Sequence, residues 1–244
     1  MWLFIIFIGL ITGTLIGIVG IGGILLAPLL NAFIDLNLHV AMASSSLSFL
    51  FTGIVGTLSY AKRKSISWPH VGWLSLGIIP ATIMGARANA ALSSNVLTIV
   101  LAVLIAFSGF YALYKRPSTT LTLPQLNKWK LMVIGLGVGF GSALTGTGGP
   151  VILVPILVAL NFPALAAVGI SQAIQLPIAT FATVGFTLYG RIDFWLGLSL
   201  GIIQAVGVFI GAKIAHKLPA PKLRQLVAIA LIGVAVLLIG RILF

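Results

Sequence analysis

Apolar residues run along this chain in long unbroken blocks. Charged, Pro-rich or Asn-rich points divide them into eight segments, roughly 3–34, 38–61, 68–91, 94–114, 131–160, 163–189, 193–217 and 222–243. Each is near or above the roughly 20 residues that cross a bilayer as a helix. Backbone polar groups in hydrocarbon must be satisfied internally, and the segments lack the period-2 alternation of a barrel strand. The pattern therefore predicts an all-α integral membrane protein. Its first residues, Met1-Trp2-Leu3-Phe4, carry no Lys or Arg before an apolar run too long for a signal-peptide core, so the first segment reads as a retained membrane element.

The hydrophilic stretch from Lys115 to Lys130, with Pro117, Ser118, Thr119, Thr120, Thr122, Pro124 and Asn127, splits the chain into near-equal parts. The expected organisation is a first membrane repeat over 1–114, a polar linker over 115–130 and a second membrane repeat over 131–244. The two parts resemble each other. Gly20-Ile21-Gly22-Gly23 is echoed by Gly146-Thr147-Gly148-Gly149 at an offset of 126, and each motif is followed closely by a proline, Pro28 or Pro155. The same offset relates Ala41-Met42-Ala43-Ser44-Ser45 to Ala167-Val168-Gly169-Ile170-Ser171, and Gly85-Ala86-Arg87 to Gly211-Ala212-Lys213. Three pairings at one offset argue for an internal duplication.

Composition and charge refine this picture. With 60% hydrophobic and 7% charged residues, the chain lies far from soluble globular domains. The net charge of +12 comes from basic residues clustered at segment ends, which fits topology signals and excludes a nucleic-acid-binding face. If all eight segments cross, the basic residues divide weakly between the two sides. Suppose instead that 3–34 and 131–160 each enter and leave on one side. Lys62, Arg63, Lys64, Lys115, Arg116, Lys128, Lys130, Lys213, Lys217, Lys222 and Arg224 then share one side, and only Arg87, Arg191 and Arg241 face the other. That arrangement makes the halves inverted repeats, with broken helices meeting near the midplane.

Glycine weakens a helix by about 1 kcal/mol relative to alanine, so clusters such as Gly17, Gly20, Gly22 and Gly23 predict breaks. Irregular backbone at membrane depth is tolerated only inside protein or beside a water-filled cavity. A helix restarting after Gly23 or Gly149 presents N–H groups and a positive dipole end, which suits an anion. Pro150 is placed as a first-turn residue. The competing reading gives these glycines a role in close helix packing alone. The candidate substrate-binding residues are Gly20, Gly22, Gly23, Gly146, Thr147, Gly148 and Gly149, with Ser44, Ser45 and Ser46 in the second segment and Ser171, Gln172 and Gln175 in the sixth. Hydroxyls and amides there offer hydrogen bonds to a desolvating oxyanion, although each equally suits interhelical or local backbone bonding. Arg87 and Lys213 occupy equivalent positions and are candidates for selecting charge at each mouth, against the alternative of simple snorkelling.

The rest of the inventory is sparse. Asp35 and Asp193, the only carboxylates, fall at segment boundaries, so no mid-membrane carboxylate relay can be built, and Asp193 reads as a local turn partner of Arg191. His39, His70 and His216 also lie near boundaries and show no metal-ligand spacing; the chain has no cysteine. No cofactor, metal or catalytic residue is expected, which argues against a membrane enzyme.

The duplicated motif, Gly20-Ile21-Gly22-Gly23 to Pro28 and Gly146-Thr147-Gly148-Gly149 to Pro155, resembles the TauE/SafE sulfite exporter family, as do the small-residue stretches at Ala41 to Leu47 and Ala167 to Gln172. The resemblance spans nearly the whole chain. It implies a transporter of sulfite, sulfoacetate or a related organosulfur or carboxylate anion. Gly169-Ile170-Ser171-Gln172 departs from the Gly-Thr-Ser-Leu of many relatives, which changes hydrogen-bonding groups at the implied site. The expected protein is a multi-pass transporter of a small anion in a prokaryotic plasma (inner) membrane, with a passive anion channel as the alternative. Its partners are the anion and the bilayer, and its many glycines also suit a homodimer.

Overall fold

A computed structural model of the chain describes residues 2–20, 22–97, 99, 100, 103, 123–219, 222 and 225. Among the described residues eight helices stand out: α1 (Trp2–Val19), α2 (Gly23–Ile34), α3 (Leu38–Ala61), α4 (Trp68–Ala91), α5 (Lys128–Thr145), α6 (Pro150–Ala159), α7 (Ala164–Tyr189) and α8 (Phe194–Ala215). Four of them, α3, α4, α7 and α8, are long and apolar enough to cross a membrane. At 12 and 10 residues, α2 and α6 are too short to do so. Most of the predicted segments 94–114 and 222–243, and residues 115–122 of the linker, lie outside the described residues.

The two over-long segments are each broken in two at their glycines. In both, the chain folds back on itself. A Cβ on Gly22 would strike the Thr12 carbonyl oxygen and lie 2.8 Å from Ile16 N, so the start of α2 returns alongside α1. A Cβ on Gly141 would lie 2.9 Å from Ile152 Cδ1, so α6 likewise returns alongside α5.

Boundaries shift by a few residues for local reasons. The fifth segment begins at Lys128 because the Asn127 side chain accepts the Trp129 amide at 3.1 Å and caps the helix, drawing Lys128 and Lys130 into its first turn. Asp193 is a second correction. Its carboxylate accepts the Leu196 amide at 3.0 Å and caps α8 instead of pairing with Arg191.

Glycine faces set the helix pairing. Cβ atoms on Gly13, Gly17, Gly207 and Gly211 would run into backbone across the α1–α8 contact, and those on Gly77, Gly85, Gly135 and Gly139 into backbone across α4–α5. Close backbone approach of this kind is how helices gain dispersion contact in lipid, where burial from water no longer drives association. In the middle, α3 and α7 pack antiparallel: Gly53 meets Leu176, and Gly56 meets Gln172.

The two ends of the bundle differ in charge. Ser65 Oγ bonds His216 Nε2 at 3.2 Å and His70 Nε2 approaches the Pro124 carbonyl at 3.3 Å, which gathers the end of α3, the starts of α4 and α5 and the end of α8. That end carries Lys62, Arg63, Lys64, Lys128, Lys130, Lys213 and Lys217. At the opposite end His39 Nδ1 meets Asn89 Oδ1 at 3.2 Å and the Asp193 amide donates to Ser44 Oγ at 2.9 Å. Arg87, Arg191, Asp35 and Asp193 lie there.

Candidate functional site

The two breaks meet inside the protein. Gly20, Gly22, Gly23 and residues 145–150 are all buried. A Cβ on Gly20 would lie 2.7 Å from Pro150 Cβ, and one on Gly23 would lie 2.7 Å from the Thr147 carbonyl oxygen. The Phe49 ring of α3 touches both breaks, coming within 2.9 Å of a Cβ on Gly23 and 2.8 Å of one on Gly148. Gly148 and Gly149 adopt φ of +80° and +97° in succession, a conformation that costs an L residue roughly 1–2 kcal/mol at each position. That pair lets the chain reverse within a few residues and start α6 at Pro150, whose missing N–H costs nothing at a first helical position. The N-terminus of α2 thus abuts the second break, and that of α6 abuts the first.

Several polar side chains surround this crossing. Gln172 donates from Nε2 to the Ile16 carbonyl at 2.5 Å, and Gln175 donates from Nε2 to Thr52 Oγ1 at 2.8 Å, so α7 is tied to α1 near its break and to α3. Both Oε1 atoms are buried without a partner, as are Ser142 Oγ and Ser171 Oγ. Thr145 and Thr147 share a hydroxyl contact at 3.1 Å. Ser142, which its sequence context did not single out, lies with Oγ 3.5 Å from where a Cβ on Gly149 would be.

The other predicted residues are placed differently. Ser45 and Ser46 donate to the Ala41 and Met42 carbonyls one turn back in α3, the local bonding that competes with any external ligand. Ser44 is turned to the start of α8. Arg87 and Lys213 are exposed at opposite ends, with Arg87 6.0 Å from the Tyr189 ring centroid and Lys213 4.0 Å from that of Phe209. Neither reaches the breaks.

Tyr60, Asn89 and Gln204 support the breaks although only Asn89 and Gln204 carried a signal, each being an amide inside an apolar segment. Gln204 donates to Thr12 Oγ1 at 3.1 Å, and Asn89 donates to the Leu144 carbonyl at 2.7 Å, bracing the last turn of α5. Tyr60 is fully buried and its hydroxyl donates to the Gly17 carbonyl at 2.8 Å. Gly17 lies in the last turn of α1, where carbonyls have lost their helical partners. Tyr60→Phe is expected to destabilise the protein by about 1–3 kcal/mol, measured by denaturant titration in detergent; an unchanged midpoint would contradict this role.

His216 closes the basic end. Its Nδ1 lies 2.7 Å from the Ala212 carbonyl and Nε2 faces Ser65, an arrangement satisfied by the neutral ring donating at one nitrogen and accepting at the other. Burial lowers its pKa from the ordinary 6.5, opposed by the bond to Ala212 and assisted by the nearby Arg63 charge. The unfolded chain therefore binds the proton more readily. Stability attributable to His216 is complete above pH 6.5 and declines as pH falls below it. Melting temperature should drop between about pH 7.5 and about pH 5.5, and less so in His216→Gln. An equal drop in the variant would assign the effect elsewhere.

Four long apolar helices, two folded-back helix pairs and a polar crossing sealed within the bundle define a multi-pass helical membrane protein of the transporter class. The family model for Sulfite exporter TauE/SafE matches residues 5–238, and the chain belongs to that family. It is 27% identical to "Probable membrane transporter protein YjnA" of Bacillus subtilis (strain 168), over 92% of this chain and 94% of that protein. It is also 27% identical to "Probable membrane transporter protein YunE" of the same strain, over 92% of each chain. A probable membrane transporter protein of the archaeon Methanocaldococcus jannaschii is 22% identical over 94% of this chain and 92% of its own length. No solved structure gave a significant match. The protein is a membrane transporter and not an enzyme.

Proposed function

We propose that the protein is a secondary transporter of a small anion, of the sulfite, sulfoacetate or short carboxylate kind, bound where the two glycine breaks cross. The observation that carries this reading is the meeting of the breaks, Gly20 against Pro150 and Gly23 against Thr147, deep inside the bundle. Hydrogen-bond donors favour an anion there. The N-terminal ends of α2 and α6 point their positive poles into the crossing, and the hydroxyls of Ser142 and Thr147 lie beside it. The unpartnered amide oxygens of Gln172 and Gln175 are acceptors, so in this arrangement their role is to fix α7 against α1 and α3. The family description supplies sulfite as the first anion to try.

The halves 1–114 and 131–244, joined by 115–130, act in this reading as inverted repeats. Exchanging each helix for its counterpart turns the α1–α8 contact into α5–α4, α3–α8 into α7–α4, and α2–α3 into α6–α7, and all of these pairs pack. The counterparts α3 and α7 run antiparallel, as inversion requires. The basic end faces the cytoplasm, in keeping with the enrichment of Lys and Arg in inner loops. The sealed crossing favours a carrier over an open pore.

Proteoliposomes loaded with the purified protein should take up labelled sulfite, sulfoacetate or a short carboxylate with saturation. Failure with every anion would remove the proposal, and unitary currents in planar bilayers would replace it with a channel.

A further inference from the structure

We propose that the groove between α3 and α8 at the basic end binds an anionic phospholipid, its phosphate among Lys62, Arg63 and Lys213 and an acyl chain along the apolar faces of the two helices. A cavity of about 390 Å³ opens there, lined by those three cations together with Leu58, Ser59 and Phe209, among others. No side-chain carboxylate compensates its charge. The only side-chain carboxylates, Asp35 and Asp193, lie at the opposite end of the bundle. Three cations brought to one hollow repel each other, and an external anion is the means of neutralising them.

The walls decide which anion. Leu58 is 56% exposed and Phe209 48% exposed, and the same faces continue toward the middle of the bundle through Ile54 on α3 and Val206 on α8, both exposed. A water-borne anion gains nothing from such walls, whereas an acyl chain fits them. Ser59 adds a hydroxyl suited to a phosphate oxygen. Lys213 stands 4.0 Å from the Phe209 ring, so cationic and apolar contacts adjoin within one side chain's reach. None of the break residues lines this cavity, and Tyr60, next to Ser59, turns inward to the Gly17 carbonyl. Basic hollows between membrane helices facing the inner leaflet are suited to anionic headgroups. Among the described residues the opposite end gathers fewer cations: Arg87 stands beside the Tyr189 ring, and Arg191 alone of the cations lines the hollow there. The inference concerns this groove and does not depend on which solute is carried.

Native mass spectrometry of the full-length protein, titrated with phosphatidylglycerol or phosphatidylcholine of identical acyl chains, tests it. Phosphatidylglycerol should bind at least about tenfold tighter. Each of Lys62→Gln, Arg63→Gln and Lys213→Gln should weaken it by about fivefold, and the triple variant by on the order of a hundredfold. Lys213→Arg should retain binding, and Arg87→Gln, at the other end, should leave it unchanged. These two variants separate a lost site from a misfolded protein. Equal affinity for the two lipids, an unaffected triple variant, or displacement of the lipid by equimolar glycerol phosphate would each overturn the proposal, the last by making the hollow a water-facing anion site.

Discussion

Gly148→Leu should abolish transport while the protein still inserts into the membrane. The apolar spans that direct insertion are untouched by this change. At the crossing, however, a β-carbon at φ +80° adds roughly 1–2 kcal/mol of backbone strain and would lie 2.8 Å from the Phe49 ring. Crowding a packed interior adds about 1–3 kcal/mol more. The tip of the second folded-back pair must then shift, and with it the approaches of Thr147 to Gly23 and of Pro150 to Gly20 on which the proposed anion binding depends. Uptake in proteoliposomes is expected to fall by about thirtyfold or more, the lower end of the summed penalty of roughly 2–5 kcal/mol. Uptake at the unsubstituted level would return the motif to a packing role.

The second large effect concerns folding. A Cβ on Gly211 would strike the Thr14 carbonyl oxygen and lie 2.9 Å from Ile18 N, so Gly211→Leu must push α1 off α8. Backbone cannot yield as a side chain does. The loss is expected to exceed about 3 kcal/mol, seen as aggregation on size-exclusion chromatography in detergent. Gly72 and Gly137 provide the control, since a Cβ at either meets nothing within 4 Å. Gly72→Leu and Gly137→Leu should elute as the parent does. If all three variants behaved alike, the packing account of the α1–α8 face would be wrong.

Much of the architecture was legible because lipid imposes a simple grammar. Uniformly apolar runs mark α3, α4, α7 and α8, and glycine clusters mark both breaks, since several helix-weakening residues in succession leave the backbone no other course. Pro150 is readable as a helix start for the same reason. The serines were legible only as polar groups. Ser45 and Ser46 turn out to bond their own helix, a choice that depends on rotamer and neighbour rather than on spacing. Phe49 and Tyr60 carried no signal because an aromatic in an apolar run looks like any core residue until its partner is known. Ser142 was hidden for a related reason, as its importance comes from Gly149 folding back beside it. Sequence periodicity tells where a helix stops and which face is apolar, but the direction a chain takes after a glycine is set by what it meets there.

Phe49 has a mechanical consequence. One ring packs against both reversals of the chain, so a shift of either that moves the ring is passed to the other. The two tips are therefore geared: spreading at one is felt at once across the centre. If solute passes through the crossing as proposed, displacing that one aromatic plate from either break also displaces it from the other, which couples the two sides of the crossing.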